Sequence, residues 1–212
     1  MEDYYEEFWG RQKKVLFSAY INLFIIAVNI LVFVYGTFFP EVLYENYIDN
    51  AMNVVYGGEY YRLLTSMFVH FDIEHIFSNM IVLLFIGANV EYDIGHAEYF
   101  ILYMASGLIG NIASNMYTIN GMEDVVSFGA SGGVFGVMGA VAVIAFFGRK
   151  RIRAGRNFII RLAIMLFISI YNGFVDPQID NAAHIGGFIS GIVLTVFITL
   201  IFMKQYTMEE WL

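Results

Sequence analysis

The chain has 212 residues, 59% of them hydrophobic and 14% charged, with a mean hydropathy of +0.65. A soluble domain carries roughly a quarter of its residues as charges, so this is the composition of a membrane protein, and one polytopic domain is the simplest reading of the length. The net charge of −8 argues against nucleic acid as a partner, and a chain without Cys has no disulfide framework, thiolate metal site or cysteine nucleophile.

The N-terminal "MEDYYEEFWG" is acidic and lacks the basic-then-apolar order of a cleavable signal peptide. Residues 1–14 are therefore expected to be a short cytoplasmic segment before a retained span. A helix needs about 20 apolar residues to cross the hydrocarbon. Runs with few or no charges occur at Val15–Tyr35, Ile76–Val90, Tyr99–Tyr117, Val125–Gly148, Phe158–Val175 and Asn181–Met203. The fold class predicted is all-α and polytopic, a bundle of six transmembrane helices over residues 15–203, with 204–212 as a cytoplasmic tail. The second run is short unless it extends back towards Arg62, and the fifth carries Arg161 near its start. Between the first and second runs lies "TFFPEVLYENYIDNAMNVVYGGEYYR", aromatic and amphipathic, which suits a loop lying at the interface.

Basic residues set the orientation. Arg11, Lys13 and Lys14 precede the first span; Arg149, Lys150, Arg151, Arg153 and Arg156 separate the fourth from the fifth; Lys204 follows the sixth. The positive-inside rule places both termini in the cytoplasm, as an even number of spans requires. Glu91, Arg149 and the basic cluster are read as solvated or topogenic.

Polar groups at membrane depth are expensive and face the bundle interior, so each is a functional candidate. His75 and Asn79 open the second span, Ser131 lies near the start of the fourth, and His184 opens the sixth. Even-numbered spans all begin on the outer side, so three helices bring these residues to one level. His75 and Asn79 are four apart and share a helix face. His70, about 140° from His75 on an unbroken helix, is assigned to the approach to that helix.

Glycine strips the fourth span at Gly129, Gly132, Gly133, Gly136 and Gly139, and the sixth at Gly187 and Gly191, below His184. Small residues let helix backbones approach closely, so these two helices are the natural pair, with Gly129, Gly132, Gly187 and Gly191 as packing positions. That pairing brings His184 beside Ser131. A serine hydroxyl is a weak nucleophile until a base takes its proton, and a neutral imidazole suits that task. Asn79, His75 and the Ser131 backbone N–H are candidate donors to an oxyanion. Taken singly, each residue has a plainer explanation: a packing serine, an interfacial histidine, an interhelical asparagine. Their coincidence at one depth favours chemistry. The 11 Met and the many Phe are read as packing or lipid-facing, and no metal or cofactor is implied.

At these residues the sequence resembles the rhomboid family of intramembrane serine proteases, from about Gly58 to Gly191. "GASGGVFG" is similar to the family's G-x-S-G, with Ser131 at the nucleophile position; "AAHIGGFISG" is similar to its A-H-x-x-G-x-x-x-G, with His184 at the base position. "HFDIEHIFSN" resembles H-x-x-x-x-H-x-x-x-N, with His75 and Asn79 at the oxyanion positions. "GANVEYDIG" matches G-x-x-x-E-x-x-x-G, and "YYR" resembles a tryptophan–arginine pair of the first loop. Two positions depart from the pattern: Tyr61 replaces the tryptophan, and Phe135 replaces a tyrosine that in some members stacks on the catalytic histidine. The resemblance implies a Ser–His dyad without a third acidic member. It also implies transmembrane protein substrates, cleavage at small residues, and residence in a lipid bilayer, here a bacterial plasma membrane. The rival functions are a rhomboid-like protein that binds membrane segments without cutting them, and a small transporter using His75, Asn79 and His184 as a polar path.

Overall fold

The structure is a computed structural model that describes residues 2–121, 126–147, 152–175 and 179–202. Its elements in chain order are α1 (Glu2–Ser18), α2 (Tyr20–Phe38), α3 (Pro40–Tyr47), β1 (Asp49–Asn50), a π turn (Met52–Tyr56), α4 (Arg62–Thr65) and a 3₁₀ turn (Ser66–Phe68). There follow α5 (Ile73–Val82), a π turn (Leu83–Gly87), α6 (Ala88–Ile94), α7 (His96–Ile119), β2 (Val126–Ser127), α8 (Ser131–Phe147), α9 (Ile152–Val175) and α10 (Asn181–Phe202). The expected runs overlap long helical segments, but the first, Val15–Tyr35, crosses a helix break at Ala19, so its membrane-length helix is Tyr20–Phe38. The runs Tyr20–Phe38, Ile73–Ile94 and Asn181–Phe202 are each long and apolar enough by themselves to cross a membrane. Of the basic cluster, Arg149, Lys150 and Arg151 lie outside the described residues, as do Lys204 and the rest of the expected tail.

The core is built around α8. From Gly132 to Val141, and again at Val143 and Ile144, every residue of this helix is buried. A helix that is apolar all round and buried all round is surrounded by other helices. The outer helices show the reverse: Phe24, Leu31, Phe77, Phe85, Phe167, Phe174, Leu200 and Ile201 are all exposed. Apolar surface on this scale has no place in water and matches a lipid-facing shell.

Local chemistry explains the element ends. Pro40 starts α3, where its missing N–H is no loss. Asp72 caps α5 by accepting the His75 N–H at 2.7 Å. The π turn in the second span has a tertiary cause: the Asn22 amide donates to the Leu83 carbonyl at 2.8 Å, and Tyr99 donates to Asn22 Oδ1 at 2.7 Å. A side chain inserted into the carbonyl ladder is what bends or bulges a helix.

Glu91 corrects the sequence reading. It is 0% exposed and is neither solvated nor a topology signal. Its two oxygens accept the Ile21 and Asn22 N–H groups at 3.1 and 2.7 Å, and His96 Nδ1 lies on the same carboxylate. The first turn of α2 has amides with no partner inside the helix, and a carboxylate 69 residues further along the chain satisfies two of them. The positive end of the helix dipole adds to the attraction. The break between α1 and α2 falls at Ala19, directly before this cap.

The first loop is folded rather than free. Arg62, 4% exposed, donates to the Ile48 and Glu45 carbonyls at 3.1 and 2.7 Å and pairs with Glu59. Leu43, Ile48 and Val69 form a small core of their own, while Tyr44, Tyr47, Met52, Tyr56 and Tyr60 stay exposed, giving the loop one buried and one aromatic outer side. An element absent from the sequence reading joins this loop to the segment before α8: β1 and β2 pair antiparallel, Asp49 opposite Ser127 and Asn50 opposite Val126. That pairing explains a boundary. The fourth helix starts at Ser131, not Val125, because Val126–Ser127 is extended and Gly129 turns the chain at φ +103°.

Candidate active site

The register of α8 against α10 is set by glycine. A Cβ placed on Gly187 would fall on the Gly132 carbonyl oxygen, and one on Gly191 on the Gly136 carbonyl oxygen. Both contacts advance by four residues together, so the helices run parallel and touch backbone to backbone. A Cβ on Gly139 would likewise meet Phe188 O. Gly132 faces two ways. Its carbonyl meets α10, while a Cβ added to it would lie 3.4 Å, in ordinary contact, from the Gly107 Cα of α7.

Ser131 is the first residue of α8 and half-buried; His184 is the fourth of α10 and 8% exposed. The parallel register puts both at the same end of the glycine contact. The Phe135 and His184 rings stack, with centroids 4.2 Å apart and planes within 9°. Phe135 lies one turn after Ser131, and side chains on a helix lean towards its N-terminus, so this ring holds the imidazole at the level of the serine. The departure from tyrosine therefore keeps its packing role. His184 N–H donates to the Asp180 carbonyl at 3.1 Å, and Nδ1 meets no hydrogen-bond partner among the described residues.

Gly129 is not a helix-packing residue, as the sequence reading had it. It lies in the turn before α8, at a φ that L side chains rarely adopt, and an added Cβ would sit 2.6 and 2.7 Å from His75 Cε1 and Nε2. His75 therefore packs directly on the turn that leads into Ser131. The same turn is anchored from the first loop, Gly129 N–H donating to Ser66 O at 2.9 Å. Asn111 binds Ser66 Oγ at 2.9 Å and accepts from Ser127 at 3.2 Å, so α7 fixes both the 3₁₀ turn and β2.

His70, which the sequence reading set apart, is in the cluster. Its Nε2 accepts the Ala130 N–H at 3.3 Å and lies 3.2 Å from Asn79 Nδ2, and its ring meets that of His75 at 4.9 Å. A helical wheel does not apply to His70, because α5 begins only at Ile73 and His70 lies on chain that folds back over the helix. The signal was present in the H-x-x-x-x-H spacing. Burial, and then the neighbouring His75, push the His70 pKa down to about 3, so its ring is neutral and accepts hydrogen bonds throughout the physiological range. Asn79, 6% exposed, thus has one amide hydrogen on His70 and another to offer elsewhere.

The cluster contains a hydroxyl at a helix N-terminus, an imidazole stacked beside it, and orphan N–H groups of the first turn of α8 with amide and imidazole donors nearby. Such a set can activate an alcohol and stabilise negative charge on an attacked carbonyl. No group of three or more His, Cys, Asp or Glu that could hold a metal ion occurs among the described residues.

Comparison with known proteins places the same stretch. A family profile described as the rhomboid domain matches residues 57–201. The chain is 35% identical to the rhomboid protease GluP of Bacillus subtilis (strain 168) over 141 residues, 66% of this chain and 26% of that protein. It is 36% identical to RHOMBOID-like protein 1 of Arabidopsis thaliana over 149 residues, 69% of this chain and 36% of the relative. With RHOMBOID-like protein 7 of the same plant it shares 32% over 157 residues, 74% and 48% respectively. The matches thus span less than half the length of each of these relatives.

Proposed function

We propose that this chain, which belongs to the rhomboid family, is an intramembrane serine endopeptidase that cleaves transmembrane or membrane-adjacent segments of other membrane proteins. It is an integral membrane protein. The observation that carries the reading is the parallel glycine register of α8 and α10, which brings His184, stacked on Phe135, to the level of Ser131.

In the proposed reaction the Ser131 hydroxyl attacks the scissile carbonyl while His184 takes its proton. Charge on the carbonyl oxygen is met by the Ser131 backbone N–H, His75 and Asn79. His184 then returns the proton to the departing amine, leaving an acyl-serine. A water, deprotonated by the same imidazole, releases the second product and restores the serine. His70 acts through Asn79 and the Ala130 N–H as a positioning residue. Both termini are placed in the cytoplasm and the site towards the outer leaflet, which suits a bacterial plasma membrane. Gly129, Gly132, Gly187 and Gly191 serve geometry and not chemistry.

The test uses the whole chain in detergent, with a fluorophosphonate probe and a model substrate containing a transmembrane segment with Ala near its outer end. Labelling at Ser131 together with a single cleavage in that segment supports the reading. A folded protein that neither labels nor cleaves would leave the binding or transport alternatives.

Asn79→Ala should lower kcat on that substrate while preserving probe labelling. Loss of one oxyanion donor costs about 100- to 1,000-fold, roughly 3–4 kcal/mol. Wild-type turnover in both Asn79→Ala and His75→Ala would show that the oxyanion is held elsewhere.

A further inference from the structure

Asn111 and Asn115 stand one turn apart on α7, each 5% exposed, and share a face of the helix. The Asn111 amide is used at both ends. Its nitrogen donates to Leu63 O at 2.8 Å and to Ser66 Oγ at 2.9 Å, and its oxygen accepts the Ser127 hydroxyl at 3.2 Å. Asn115 donates to both oxygens of the buried Asp49 carboxylate, at 2.9 and 3.2 Å.

These contacts converge on the chain just before Ser131. Ser127, held by Asn111, is the β2 residue that pairs with Asp49, held by Asn115. Ser66, also held by Asn111, supplies the carbonyl that accepts the Gly129 N–H at 2.9 Å. The Ala130 N–H is taken by His70 Nε2 at 3.3 Å. Ser127, Gly129 and Ala130 are thus tied down in succession, and the next residue is Ser131, the first of α8.

The polar identity of Asn111 matters here, not its bulk. An amide presents two donors and an acceptor from one rigid plane. An apolar side chain of the same size would fill the space and leave the Leu63 carbonyl and the two serine hydroxyls to find other partners.

We propose that Asn111 and Asn115 are positioning residues, two rungs on α7 that set the turn from Ser127 to Ala130 and through it the place of the Ser131 hydroxyl and N–H. The effect on rate rests on the protease reading; the anchoring of the turn does not.

The test compares Ser127→Ala, Ser127→Thr, Asn111→Ala, Asn115→Ala and the double variant of Asn111→Ala with Ser127→Ala against wild type, as full chains in detergent. Hydrogen exchange of the Gly129 and Ala130 amides, read by mass spectrometry on a peptide spanning the turn, should quicken severalfold in Ser127→Ala and Asn111→Ala. It should return to the wild-type rate in Ser127→Thr, which restores the hydroxyl. Asn115→Ala should have a smaller effect, since it reaches β2 only through the two-residue ladder; no effect at all would remove Asn115 from the proposal. On the model substrate, Ser127→Ala should lower kcat about 10- to 100-fold, because about 1 Å of misplacement can cost 100-fold. KM and the melting temperature should stay close to wild type. The double variant should turn over no more slowly than Asn111→Ala alone, as both changes break one network. Wild-type exchange in Ser127→Ala would overturn the anchoring. Faster exchange with wild-type kcat would overturn the positioning role, as would a lower melting temperature with kcat intact. If Asn111→Ala does not fold, the Ser127→Ala and Ser127→Thr pair decides both points. A wild-type chain that neither labels nor cleaves would refute the protease reading and with it the effect on rate, and exchange would still decide the anchoring.

Discussion

Ser131→Ala is expected to abolish cleavage and fluorophosphonate labelling while leaving the protein folded and inserted. Nucleophile and base act as one unit, so removing either forfeits covalent catalysis, a loss on the order of 10⁵- to 10⁶-fold in kcat. The serine is half-buried at a helix start, and trimming one oxygen there should change stability by about 0.5 kcal/mol or less. His184→Ala should lose activity as completely, but with a second signature. It removes a ring stacked on Phe135 at 4.2 Å, a contact worth about 0.5–1.5 kcal/mol beyond burial, so the melting temperature should fall in His184→Ala and hold in Ser131→Ala. The double variant should be no worse in kcat than either single one. Measurable cleavage by purified Ser131→Ala would rule out the assignment of the nucleophile.

Gly191→Val and Gly187→Val should be the most damaging changes to the fold. At both positions the new Cβ meets a backbone carbonyl of α8 rather than the end of a flexible side chain. Nothing local can swing aside, so the helices must separate, and overpacking of this kind costs about 1–3 kcal/mol or more. Separation also moves His184 from Ser131, and about 1 Å of misplacement can cost 100-fold in rate. Both stability in detergent and activity should therefore drop together. Gly10→Ala is the control: nothing lies within 4 Å of the added methyl, and alanine is the better helix former. If Gly191→Val unfolds like wild type and stays active, the α8–α10 contact is looser than described.

The apolar runs identified the long helices because a helix in lipid satisfies its own backbone, which makes its length and composition local properties. The same locality let small residues at intervals of four mark Gly187 and Gly191 as a contact face before any partner was known. It let Ser131 and His184 stand out as polar groups in apolar sequence. The stack of Phe135 on His184 was expected only from the family resemblance, and the structure has it at 4.2 Å.

What the tertiary structure decided concerns groups whose partners are distant in the chain. Glu91 looked like a solvated charge, yet it caps a helix that begins about 70 residues earlier, because orphan amides accept whichever carboxylate the fold delivers. His70 was set apart by a helical wheel that does not apply, since the chain turns before α5 and folds the ring onto Asn79 and the Ala130 amide. Gly129 read as part of a packing stripe, but its positive φ and the His75 ring against it belong to a turn created by β1–β2 pairing. A two-residue ladder is too short to leave a period in the sequence. Its existence depends on Arg62, Ser66 and Asn111 holding the first loop in place, and those are contacts that only the folded chain makes.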